Sequence, residues 1–297
     1  MGIKVQRAHD YYLRGDLSLI GKPQSTNTIY VPLTVFTAKG SMFLIACNFS
    51  SCSIDLACML IKFYSSTIGK KVVVALTGIV LLLFVIGHMA GNLKAFGGYD
   101  DKGVHKLDSY AIFLRDFASD VLGHSGFLWT MRAVLLVCLL VHVFTVIQLQ
   151  RINSSGRGSR YAVVNPSSAT VASRTMFIGG LVLLAYTVYH ILHMTVGVVH
   201  FGGFVEGRVY ANVYRAFTLS YVTFIYVAAM GFLGLHTYHG VWSLFQTLGL
   251  NTPDRHFVFI NLARLLAVVL FFGFISVPLA VYFNLLPPPN VAAGVAG

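Results

Sequence analysis

The sequence predicts an all-α membrane protein in which five transmembrane helices cross a bilayer and the first four close into a bundle. Three observations predict this. Five stretches are long and apolar enough to cross the roughly 30 Å hydrocarbon core as helices. Of 297 residues, 56% are hydrophobic and only 10% charged, with a mean hydropathy of +0.74, which is the balance of a polytopic membrane chain. Each of the first four stretches also carries at least one histidine. An ionisable side chain inside a span is costly unless it meets a partner, a cavity or a bound group.

Residues 1–59 are expected to form an N-terminal extension of unassigned role, and residues 60–297 the transmembrane domain. The extension mixes charges, Pro23, Pro32 and a Ser/Cys-rich tract, and the run from Met42 to Ile61 is interrupted by Asn48, Ser50, Ser51, Ser53 and Asp55. The first span runs through Val72–Ala90, whose only polar side chains are Thr77 and His88. A polar connection from Lys94 to Gly126 follows, expected as a loop with a short surface helix. The second span covers about Phe127–Leu149, with Arg132 near its start and His142 towards its end. The third, about Met176–Val199, contains His190 and His193. A short loop with Glu206, Arg208 and Arg215 leads to the fourth, about Phe217–Phe245, with His236 and His239. The fifth, about Ile260–Leu285, is stopped by Pro287–Pro289.

The formal net charge of +11 does not indicate nucleic acid, because the basic residues flank apolar spans instead of forming a patch. Lys70, Lys71, the connection with Arg151, Arg157, Arg160 and Arg174, and Arg255 and Arg264 fall on one side. That side is assigned to the cytoplasm, together with the N-terminal side of the membrane domain. Cys47, Cys52, Cys58 and Cys138 form no CxxC pair, so neither a disulfide framework nor a thiolate metal site is expected.

Depth decides which histidines can meet. At about 1.5 Å per residue, His88 and His190 on the two outward-running helices reach similar depth near the outer side. His142 and His236, on the inward-running helices, lie deeper towards the inner side. Two stacked pairs suit axial ligation of two haem groups, each by two imidazoles, in a four-helix bundle. Gly87 and Gly91 beside His88, and Gly240 one turn after His236, are expected to let a flat macrocycle approach the backbone. Arg132 is a candidate partner for a haem propionate or for lipid headgroups. His193 and His239 are alternative ligands or pocket residues, three positions from their neighbours. His105, His124, His200 and His256 are expected at the surface. A lone intramembrane histidine more often only bonds across helices, and the paired depths are what weigh against that here.

The segments GKKVVVALTGIVLLLFVIGHMAGNLKAFGG, YHILHMTVG and HTYHGVWSLFQTLG resemble the cytochrome b558-type membrane anchor of succinate dehydrogenase and fumarate reductase. The likeness covers about Met59–Leu285. It implies a dihaem subunit that carries out no succinate chemistry itself but docks to a flavoprotein subunit with FAD and to an iron-sulfur subunit. Electrons would pass between the iron-sulfur clusters and a membrane quinone, often menaquinone, in a prokaryotic cytoplasmic membrane, where the complex would assemble into a higher-order oligomer. By the resemblance, His88 and His190 would ligate the outer haem b and His142 and His236 the inner one. His236 is preferred to His239 because the family has glycine four residues after its histidine, matched by Gly240. His190 against His193 stays open. The other readings are a haemless quinone-binding anchor and a histidine-dependent proton-coupled transporter. The transporter would call for internal repeats and helices broken at mid-membrane, which the sequence does not display.

Overall fold

A computed structural model describes residues 34–36, 42–44, 56–155 and 171–290, and the chain divides into two units, residues 1–62 and 63–297. In the first unit, β1 (Thr34–Phe36) and β2 (Met42–Leu44) pair antiparallel with Thr34 opposite Leu44. Helix α1 (Leu56–Ser65) runs across the division.

The second unit contains five helices long and apolar enough to cross a membrane. They are α2 (Thr67–Asn92), α5 (Gly126–Ser155), α6 (Val171–His190), α8 (Ser220–Thr247) and α9 (His256–Tyr282). Between them lie α3 (Lys106–Asp116), α4 (Ser119–Leu122) and α7 (Val209–Phe217). The stretch carrying Glu206, Arg208 and Arg215, expected as a short loop, instead leads into the nine-residue helix α7. Helix α6 does not simply end after His190 but continues as a π-helical turn, Ile191–Val196, closed by Gly197 at φ 80°. A π turn carries an extra residue, so it rotates everything beyond it, and such turns recur at functional sites.

Ser66 starts α2. Its hydroxyl accepts from Gly69 N at 2.9 Å and donates to Phe63 O at 2.7 Å, satisfying one free amide of the new helix. Lys70 Nζ donates to Tyr64 O and Ser65 O at 2.9 and 3.1 Å, where a cation neutralises the carbonyl end of α1. Helices α2 and α5 pack along each other, as do α6 and α8. The fifth helix, α9, lies against α8 and also touches α2. The α2 crossing is close because Gly273 has no side chain: a Cβ there would collide with Met89 Sδ.

The best-buried core lies at the end of the unit where α3, α7 and the chain after α9 converge. Ala95, Leu107, Tyr210, Ala216, Phe217, Val222 and Val281 pack there. Asp108 Oδ1 on α3 accepts from Tyr210 N at 2.9 Å, so one helix caps the N-terminus of another. Tyr210 Oη donates to Pro287 O at 2.6 Å and Tyr99 Oη to Pro288 O at 3.3 Å, which ties the proline run down.

Candidate functional site

The six histidines that sequence reading placed within spans divide by environment. His88, His142, His190 and His236 are half-buried, so each keeps part of its surface clear of protein. His193 is fully buried, and its ring stacks on Tyr189 at 5.2 Å and on His200 at 5.0 Å. His239 lies near Trp242, at 6.2 Å between ring centres, with a buried Nδ1 that has no hydrogen-bond partner.

The structure brings His88 and His190 together across α2 and α6, with ring centres 5.8 Å apart and planes at 80°. Two imidazoles on opposite sides of one metal ion stand about 6 Å apart between centres, given metal–nitrogen bonds of about 2 Å. Each ring also has an aromatic neighbour one turn earlier on its own helix: Phe84 stacks on His88 at 5.4 Å and Tyr186 on His190 at 5.8 Å. Phe274 of α9 reaches His88 at 5.9 Å, so the fifth helix helps to build this site.

His142 lies on α5 and His236 on α8. Each is flanked by a glycine on the helix that packs beside it. A Cβ on Gly78 of α2 would stand 3.5 Å from His142 Cε1 and 3.8 Å from Nδ1, and a Cβ on Gly180 of α6 would stand at the same two distances from His236. These are the glycines that touch the histidines. Gly91 packs on Tyr110, Gly240 has Met176 Cε at 4.0 Å, and Gly87 has nothing within 4 Å, so the backbone at Gly87 is open.

Thr77 assigns the tautomer of His142. Its hydroxyl has one proton, which goes to Val73 O at 2.8 Å, as a mid-helix threonine commonly does. Towards His142 Nδ1, at 3.1 Å, the threonine oxygen is therefore the acceptor. Nδ1 carries the proton and Nε2 keeps its lone pair, which is the form in which a neutral imidazole binds a metal. His190 Nδ1 also meets a hydroxyl, that of Tyr226, at 3.2 Å.

Among the described residues no group of three or more His, Cys, Asp or Glu side chains is placed to hold a metal ion. Pairs remain, and two ligands are the number required by a macrocycle that brings four ring nitrogens of its own. Arg132 is exposed, with its guanidinium 4.9 Å from the centre of the Trp129 ring, an arrangement common at a membrane interface.

Of the histidines expected at the surface, His105 is inside and His200 is half-buried. His105 is 2% exposed, its ring stacked on Tyr210 at 3.5 Å and 7°. Burial holds its imidazole below the usual histidine range, more than Asp108 and the Ala95 carbonyl offset. His200 is half-buried and donates from Nε2 to Asn212 O at 3.0 Å. His124 is exposed beside Asp116, as expected.

Comparison with family models, with curated proteins and with solved structures returned no match in any of the three.

Proposed function

We propose that this chain is the membrane anchor and dihaem cytochrome b subunit of a succinate:quinone oxidoreductase. The observation that carries the reading is the meeting of the half-buried His88 and His190 across α2 and α6, with ring centres 5.8 Å apart, beside a further two half-buried histidines, His142 and His236, each bordered by a glycine of a neighbouring helix. His88 and His190 would hold one haem, and His142 and His236 the other. Bound haem would supply one-electron carriage between an iron-sulfur partner and a membrane quinone, with menaquinone favoured by the family likeness. The residues of this chain supply binding and orientation: Thr77 keeps the proton of His142 on Nδ1, and Gly78 and Gly180 leave the imidazoles of His142 and His236 unobstructed. The partners supported by the sequence resemblance are a flavoprotein with FAD and an iron-sulfur subunit, with the N-terminal side of the membrane domain in the cytoplasm.

Single substitutions test the pairing. His88→Ala and His142→Ala are each expected to remove one haem per chain and leave the other, read by haem extraction and reduced-minus-oxidised spectra. His239→Gln is expected to retain both. Two haems in either alanine variant would reject the pairing.

A further inference from the structure

The geometry points to Tyr226 as a positioning residue for the outer haem: its single hydroxyl selects His190 over His193 as the ligand and tunes that ligand's donor strength. The inference rests on the haem reading above. Tyr226 is 6% exposed, and its ring is held edge-on by Phe217 at 4.9 Å and Tyr186 at 5.3 Å. Its hydroxyl lies 3.2 Å from His190 Nδ1 and 2.9 Å from His193 Nδ1, and it has no other hydrogen-bond partner among the described residues.

A phenol has one proton, so it cannot donate to both imidazoles. Oxygen donors make shorter hydrogen bonds than nitrogen donors, which assigns the 2.9 Å contact as Tyr226 O–H to His193 Nδ1. The 3.2 Å contact is then His190 Nδ1–H donating to the tyrosine oxygen. This arrangement gives the phenol and both Nδ1 atoms a partner and leaves the buried His193 Nε2 without one. His190 keeps a lone pair on Nε2, the nitrogen needed for iron. His193 is left with its proton on Nε2, where it has no lone pair to offer, and that atom is sealed inside the protein. The surroundings agree, since the ring of His190 faces His88 at 5.8 Å while His193 is fully buried against Tyr189 and His200. The π turn that begins just after His190 sets the two rings into these separate environments although only three residues part them.

A ligating imidazole that donates from Nδ1 becomes a stronger donor to its metal and stabilises the ferric state. Removing the acceptor therefore raises the midpoint potential of the outer haem and leaves the inner one where it was.

The test uses the purified full-length protein. The outer haem is identified as the one that survives in His142→Ala. Tyr226→Phe, which keeps the ring, is expected to retain both haems, to move the outer midpoint upward and to shift the low-spin ferric paramagnetic resonance signal of that haem alone. His193→Gln is expected to retain both haems, whereas His190→Gln loses the outer one. An unmoved outer midpoint and resonance signal in Tyr226→Phe, with both haems present, overturns the positioning role. Loss of the outer haem in His193→Gln, with its retention in His190→Gln, overturns the ligand selection. Wild-type protein without haem would instead overturn the haem reading itself, so the two failures are told apart before any variant is made.

Discussion

Gly78 and Gly180 allow the inner site to be tested without altering a histidine. A Cβ at either position stands 3.5 Å from the nearest imidazole carbon, an ordinary van der Waals contact, so alanine fits. Valine places γ carbons about 1.5 Å further out, which brings one to roughly 2–2.5 Å from the ring unless the imidazole moves. Overpacking of this kind costs about 1–3 kcal/mol, or about a 5- to 150-fold loss of the ligating geometry. Haem extraction and a redox titration of each variant provide the assay. Gly78→Ala and Gly180→Ala should carry two haems per chain with unchanged midpoints. Gly78→Val and Gly180→Val should each lose or strongly deplete the inner haem and keep the outer one. Two haems with an unmoved inner midpoint in both valine variants would refute the reasoning, because the glycines would then have no bearing on the site.

Thr77→Val removes the acceptor for His142 Nδ1–H and keeps the side-chain shape; both haems should remain while the inner midpoint rises, read by potentiometric titration. The buried imidazole of His105 gives a pH dependence outside the membrane. Its folded-state pKa lies below the usual value of 6.5, so between the two values the unfolded chain binds more protons and stability rises with pH. Thermal melts in detergent should therefore show stability falling as pH drops below about 6.5, and His105→Gln should flatten that slope relative to wild type.

The five spans were legible because length and hydropathy are local properties. What failed depended on distant partners. His105 reads as a loop histidine until Tyr210, over a hundred positions later, stacks on it. The segment around Arg208 and Arg215 is too short to display a period, and it becomes helical in a setting where Asp108 from another helix caps it. The glycines that touch the histidine rings come from neighbouring helices, since a helix residue faces its neighbour and not its own next turn. Gly78 and Gly180 sit ten or more residues from any histidine on their own helices, and only packing against α5 and α8 reveals them. The choice between His190 and His193 was open for a related reason: it turns on Tyr226, a residue on another helix with one proton to give.

The central claim is that two haems are held by four histidines of this chain. The most direct measurement is the haem content of the purified full-length protein, extracted and counted per chain, together with its reduced-minus-oxidised visible spectrum. Two b-type haems per chain with two resolvable midpoint potentials are expected. A chain purified intact from a haem-replete membrane with no haem would contradict it and leave the paired histidines as hydrogen-bonding groups between helices.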